Sequence, residues 1–466
     1  MWEKVIEITD FLWGVPLIIL LIGVGLYFTL GTRFFQIRHI GLIYKKTIRE
    51  ILKGSDSENK DDEKQGQLSP WHALSTVLLS PWHALSTVLA GTVGAGNIAG
   101  VATAIAVGGP GAVFWMWIIG ACGMMTKMAE VTLAVAYRKK SETTGEYYGG
   151  PMYYIKSIKG IGKYLAPVYA VALCILVLTD ACGIQANTLA TTAYDVFRIP
   201  MIASGIVMVG IAVIIIATGG VNKVGTFCGK LVPPMVIIYV IGALIVVFAN
   251  YEKIPEAISM IFKYAFAPTP AIGGFTGATV SIAMARGASR GIFSNEAGEG
   301  TAATVHATAK TDHPVHQGLY GILEVFIDTI IICTLTALLI ITSGVWSNGN
   351  TGAPLTFDAF RSVMGTPGTV IISLAVILFT FSSYIGFYVE YRTCIEYLFG
   401  EKAIKYAKYI FFIIPFIAVT SEIESVWSLA DIAVGFIVIP NVIAILLLGP
   451  KFFALVKDYV KKELKK

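Results

Sequence analysis

Eleven stretches of this chain are apolar over lengths that suit a lipid bilayer: 11–32, 81–107, 112–137, 164–189, 201–218, 231–249, 272–309, 317–343, 368–390, 407–421 and 427–449. A helix needs about 20 apolar residues to cross a hydrocarbon core of roughly 30 Å. No water reaches that core, so each backbone polar group must be satisfied inside the protein, and helices do this within one segment. The chain therefore reads as an all-α polytopic membrane protein with eleven transmembrane helices. The tenth run is short, and the seventh is too long and too rich in glycine to be one plain helix. Charge agrees with this class: 14% of the 466 residues are Asp, Glu, Lys or Arg, against about a quarter in a soluble domain. No basic region followed by a small-residue cleavage site stands at the N-terminus, so the run at 11–32 is expected to remain as a leading crossing.

The loops set an orientation. With the N-terminus outside, 26 of the 35 Lys and Arg residues fall in cytoplasmic loops and the tail. Lys4, Arg198, Lys253, Lys263 and Arg361 fall outside, and Lys127, Arg286, Arg290 and Lys408 fall within spans. Such a bias is the positive-inside pattern, and it predicts a multi-pass plasma-membrane protein with the C-terminus in the cytoplasm. The net charge of +5 is then a matter of topology and gives no ground for a nucleic-acid partner. Lys457, Lys461, Lys462, Lys465 and Lys466 in the tail face solvent or anionic lipid headgroups. The six cysteines are scattered in or beside spans without C-x-x-C spacing, and they read as small apolar packing residues. His306, His313 and His316 sit in a cytoplasmic connection with no cysteine partner and suggest no metal site. No nucleophile–base pattern or organic-cofactor motif marks an enzyme. No single re-entrant filter marks a channel, and no soluble output domain marks a sensor.

One transmembrane domain is expected: a leading helix at 11–32, a flexible polar loop at 54–67, five helices over 79–249, five more over 272–449, and a basic tail at 450–466. The eleven-mer LSPWHALSTVL at 68–78 is repeated without change at 79–89. Eleven residues make three helical turns plus about 20°, so a helix can absorb the copy at a cost of about 16 Å in length. The second copy leads into a glycine-rich segment and reads as the working one.

Two spans carry such segments, LAGTVGAGNIAGVA at 89–102 and RGASRGIFSNEAGEGTAA at 286–303. Glycine weakens helices. Counted after the leading helix, the breaks are in the first and sixth of ten spans, matching places in two halves. Paired interruptions of this kind point to a transporter binding site. N–H groups freed at a half-helix start attract a carboxylate, and freed carbonyls hold a cation. Close packing through small residues is the plainer reading of either segment alone.

VGAGNIAGVATAI at 93–105, GGPGAVFWMWIIG at 108–120, GGPMYYI at 149–155 and FSNEAGEGTAA at 293–303 resemble motifs of the alanine or glycine:cation symporter family, which has a leucine-transporter-like fold. FTFSSYIGFYVEYRTCIEYLFG at 379–400 resembles that family's ninth span more loosely. The resemblance covers nearly the whole chain. It implies a leading helix before a five-plus-five inverted repeat, and sodium-driven uptake of alanine or glycine into the cell. Glu299, where the family pattern has an apolar residue, and Tyr384 and Phe387 around Gly386 depart from it.

A small amino acid needs N–H donors for its carboxylate, oxygens for its ammonium and a small apolar wall. Gly94, Ala95 and Gly96, with Thr92 nearby, are candidates for the first. Carbonyls near Phe293 with Ser294 or Asn295 are candidates for the second, and Phe293, Ile385 and Gly386 for the third. By resemblance to the broader fold, the carbonyls of Ala90 and Val93 and the hydroxyls of Ser382 and Ser383 would bind sodium. Asn97 reads as a cation or substrate ligand or as a tie between half-helices. Gln185 reads as a substrate ligand or as interhelical glue, and Asp180 falls on another face of the same helix. Intramembrane charges are functional candidates by default. Lys127 and Glu130 are expected to pair, Glu296 and Glu299 to gate with Arg286 or Arg290 or to cap a half-helix, Glu324 and Asp328 to share a face, and Glu390 to meet Arg392 in solvent. Coupling to protons through Glu296 or Asp180 is the alternative to sodium.

Overall fold

A computed structural model describes residues 15–50, 81–141, 147–421 and 423–463. The expected loop at 54–67 and the first copy of the eleven-mer are outside the described residues. The sixteen helices that matter here are α1 (Val15–Gly31), α2 (Pro81–Thr92), α3 (Val101–Gly108), α4 (Ala112–Ala136), α5 (Gly162–Thr179), α6 (Ala186–Phe197), α7 (Met201–Ala249), α8 (Ile254–Phe266), α9 (Val280–Asn295), α10 (Thr301–His306), α11 (Pro314–Val325), α12 (Thr334–Thr342), α13 (Gly352–Phe399), α14 (Glu401–Ala418), α15 (Ile423–Leu447) and α16 (Gly449–Glu463). The described strands are one short antiparallel pair, Lys139–Lys140 with Tyr147–Tyr148.

Among the described residues, five helices are long and apolar enough to cross a membrane, or seven if each of two bent pairs counts as one span. Two of the five are bent internally at glycine: α7 at Gly220 (φ 54°) and α13 at Gly365 (φ 60°). The expected spans 201–218 and 231–249 are thus the two arms of α7, and its second arm begins earlier, directly after Gly220. The span expected at 368–390 runs on to Phe399 within α13.

Three short π-helical turns, Gly96–Gly100, Asp180–Gln185 and Phe326–Cys333, join α2 to α3, α5 to α6 and α11 to α12. Such turns widen the helix and often mark functional sites. The helices fall into two groups. One surrounds α4, which packs on α1, α9 and α11, and the other surrounds α13, which packs on α2, α5, α6 and α7. Small residues allow the close contacts expected of membrane helices: a Cβ on Gly287 of α9 would lie 2.1 Å from the Ala112 carbonyl oxygen of α4. The first glycine-rich span, α2 with α3, lies between the two groups, and its halves bend by 44°.

Candidate functional site

The first break occupies the three residues after α2 and the π-turn at Gly96–Gly100. Its freed N–H groups have side-chain acceptors. Gly94 N donates to Asn97 Oδ1 at 3.0 Å, and Ala95 N donates to Gln185 Oε1 at 3.4 Å. Gln185 is steadied by donating from Nε2 to Asp180 Oδ1 at 2.9 Å. On an ordinary helix residues five apart diverge, as the sequence suggested for this pair. The π-turn at Asp180–Gln185 brings them onto one face and corrects that expectation.

Asn97 does more than tie the half-helices. Its Nδ2 donates to Asp328 Oδ1 at 2.6 Å and to Ser294 Oγ at 3.0 Å, and Ser294 Oγ donates to Asp328 Oδ2 at 2.7 Å. Thr329 Oγ1 donates to Asp328 Oδ2 at 2.9 Å, and Asn295 Nδ2 to Thr329 Oγ1 at 3.0 Å. Asp328, fully buried, thus gathers polar groups from both glycine-rich spans. In the sequence this aspartate stands out only as a neighbour of Glu324. An acid in an apolar run is the available signal, and apart from Thr329 its partners, Asn97 and Ser294, are distant in sequence.

On the other side of the break, Ser383 Oγ lies 2.8 Å from the Ala90 carbonyl and 3.0 Å from the Phe379 carbonyl. Ser382 Oγ lies 2.8 Å from the Phe379 carbonyl and 3.5 Å from that of Ala90. Two hydroxyls and two carbonyls therefore converge where α13 meets the end of α2, with the Met235 sulfur 3.4 Å from Ser382 Oγ. Val93 is buried in the same break. A Cβ on Gly94 would lie 2.5 Å from Ser383 Oγ and 3.3 Å from Gln185 Oε1, so only glycine leaves these groups their places. Thr92 turns its hydroxyl to the Val88 carbonyl at 3.1 Å.

The expected apolar wall is placed in part. The Phe293 ring packs beside Gly96, whose Cβ would lie 3.3 Å from Phe293 Cδ1. Ile385 is buried. Gly386 instead faces the backbone of α2, where a Cβ would lie 3.0 Å from the Thr87 carbonyl oxygen. Its missing side chain is what lets α13 approach α2. A narrow crevice, closed to a water molecule in this conformation, is lined by Gly94, Ala95, Ile98 and Ala99 of the break and by Thr188, Ala353, Val376, Phe379 and Thr380.

The second break is shorter than expected. α9 continues through Asn295, and the chain unwinds only over 296–300. Glu296 takes a left-handed conformation (φ 54°), as do Gly298 (φ 101°) and Gly300 (φ 79°). The Thr301 hydroxyl donates to the Glu296 carboxylate, so Glu296 acts locally across the break. Gly298 N donates to Glu130 Oε1 at 2.9 Å. Asn441 Nδ2 donates to the same oxygen at 2.6 Å and to the Gly298 carbonyl at 2.8 Å. The Tyr154 hydroxyl donates to Asn441 Oδ1, and the Tyr169 hydroxyl donates to the Glu299 carbonyl at 2.7 Å.

Other charges also differ from expectation. Lys127 pairs with Glu324 of α11 at 3.3 Å, not with Glu130, because Glu130 turns to the second break. His306, expected in a cytoplasmic connection, is fully buried between Glu324 and Gln317. Glu390 is buried, because α13 continues nine residues beyond it.

The model of the sodium:alanine symporter family matches residues 1–466. An uncharacterized transporter of Bacillus subtilis, YflA, is 39% identical over 98% of this chain and 93% of its own length. The sodium/alanine symporter AgcS of Methanococcus maripaludis is 35% identical over 95% of this chain and 93% of its own. The probable sodium/glutamine symporter GlnT of Bacillus subtilis is 34% identical over 97% and 90%. The family consists of transporters and not enzymes, which agrees with the several membrane-spanning helices. The chain belongs to the sodium:alanine symporter family.

Proposed function

We propose that this chain carries a small neutral amino acid, alanine or glycine, into the cell together with sodium, by alternating access. The observation that carries the reading is the first break. There the N–H groups of Gly94 and Ala95 are held by exchangeable side-chain acceptors at 3.0 and 3.4 Å, and the Ala90 carbonyl meets Ser383 Oγ at 2.8 Å. In this reading the substrate carboxylate takes the N–H groups of Gly94, Ala95 and Gly96, replacing Asn97 Oδ1 and Gln185 Oε1 as acceptors. Gln185 Nε2 and Thr92 remain beside it. The ammonium goes to carbonyls near Phe293 and to Ser294 and Asn295. Phe293 and Ile385 bound a short side chain, with Gly386 setting the closeness of the wall. Sodium goes to the oxygens of Ala90, Val93, Ser382 and Ser383. The membrane topology belongs to the same proposal: eleven spans, a leading helix before an inverted five-plus-five repeat, and the N-terminus outside the plasma membrane.

The relative named for glutamine makes substrate size the point to test. The experiment is uptake of radiolabelled alanine, glycine and glutamine into proteoliposomes, with an inward sodium gradient, an inward proton gradient or none. Uptake of alanine or glycine that requires sodium is expected. Preference for glutamine would overturn the small wall, and uptake driven by protons alone would overturn the serine site.

A further inference from the structure

We propose that His306 is a buried proton-binding site whose state is read by the side-chain amide of Gln317. This inference depends on neither the substrate nor the coupling ion. His306 ends α10, the helix that follows the second break, and it is fully buried together with Lys127, Gln317 and Glu324. His306 Nδ1 accepts from Gln317 Nε2 at 2.8 Å, and His306 Nε2 donates to Glu324 Oε2 at 3.2 Å. The other oxygen of Glu324 meets Lys127 Nζ at 3.3 Å. An amide N–H can donate only to an unprotonated ring nitrogen, so this arrangement takes a neutral imidazole with its proton on Nε2. The charges of Lys127 and Glu324 then balance. Gln317 Oε1, buried beside them, has no hydrogen-bond partner.

That orphan oxygen is the other half of a switch. A proton on Nδ1 makes it a donor, and it then faces the Gln317 NH2 donor to donor. Rotating the amide by half a turn brings Oε1 to Nδ1–H and leaves Nε2 where the oxygen stood. Each orientation strands one amide atom, so the cost of a buried unpaired group stands on both sides, and the proton decides between them. Glu324 accepts from Nε2–H in both states, and the imidazolium competes with Lys127 for that carboxylate. Of the elements packed on α10, α4 carries Lys127 and Glu130, α13 carries Glu390, α2 carries His83, and the short helix Pro151–Lys156 carries Tyr153 and Tyr154. Glu130 accepts from Gly298 and Asn441, and Tyr154 donates to Asn441. Arg138 donates to the carbonyls of Ala307 and Ala309, just past His306. At the start of α10, Thr301 donates to Glu296. A charge gained at His306 therefore falls on a helix held at both ends by charged groups, directly after the second break.

The test follows the ring nitrogens. Full-length protein labelled with 15N-histidine is studied in lipid nanodiscs by NMR from about pH 9 to about pH 5, the range in which imidazole titrates. The His306 signals are identified by their loss in His306→Gln or, if that variant does not fold, by their displacement in Gln317→Leu. The Nε2–H tautomer is expected at high pH and a doubly protonated ring at low pH. A ring that keeps one form throughout, or that starts as the Nδ1–H tautomer, overturns the proposal. Two variants read the amide. Gln317→Leu removes the acceptor that follows the proton, and proton affinity should fall about tenfold, because a charge-assisted bond is roughly twice as strong as the neutral one it replaces. Gln317→Glu offers acceptors only, and proton affinity should rise. No change in either variant, or changes of the same sign in both, would overturn the switch.

Discussion

The two glycine-rich breaks interrupt two spans of one chain, yet they are held differently. At the first, Gly94 and Ala95 donate to neutral side-chain oxygens, one of them at 3.4 Å. At the second, the Gly298 amide donates to a buried carboxylate, and Asn441 and Tyr169 fasten the carbonyls of Gly298 and Glu299. Three bonds of 2.7–2.9 Å fasten the backbone of the second break, whereas hydrogen bonds weaken with length and one of 3.4 Å costs little to exchange. The first break is therefore built to change partners, and the second to keep them. α1 adds to the second: a Cβ on Gly298 would lie 2.5 Å from Leu21 Cδ2.

The comparison breaks most readily at Glu130. Replacing Glu130 with Leu leaves the Gly298 amide and one of the two Asn441 Nδ2 hydrogens without their acceptor. A loss of about 3–5 kcal/mol is expected, from two buried donor hydrogens left unsatisfied at about 1–3 kcal/mol each, read as thermal unfolding in detergent. A cost under about 1 kcal/mol would mean that the second break needs no latch.

The same substitution at each break gives the next largest effect. In Gly300→Ala the new Cβ meets Pro151 Cγ at 2.5 Å at a backbone φ of +79°, so stability should fall by about 2–3 kcal/mol. In Gly94→Ala it meets the end of a serine side chain at 2.5 Å, which can turn away. Stability should change by about 1 kcal/mol or less, while alanine uptake falls about 100-fold, because displacement of Ser383 and Gln185 disturbs positioning. Equal stability losses at the two glycines would erase the distinction.

Much of this was readable in the sequence because glycine marks both breaks. The second was placed too early. Its glycines at 287 and 291 admit α4, at Ala112 and Met116, and do not unwind α9. Spacing arguments failed where they assumed an α-helix, as with Asp180 and Gln185, or a partner on the same helix, as with Lys127 and Glu130. The gathering of Asn97, Ser294 and Thr329 on Asp328 involves three helical segments that only tertiary packing brings together. The adjacent serines could be placed beside the first break but could not be ranked.

The structure ranks them, and this gives the smallest effect. Ser382 keeps its hydroxyl on its own helix, 2.8 Å from the Phe379 carbonyl and 3.5 Å from that of Ala90. Ser383 reaches the Ala90 carbonyl at 2.8 Å. If sodium binds here, Ser383→Ala removes an oxygen already in place, and the sodium concentration for half-maximal uptake should rise about tenfold, equivalent to about 1.4 kcal/mol. Ser382→Ala should raise it by about threefold or less, because that hydroxyl must first leave Phe379. The reverse order would mean that α13 rotates before the cation binds. Equal and negligible effects would leave the first break without a cation role, and its weak hydrogen bonds would then serve the amino acid alone.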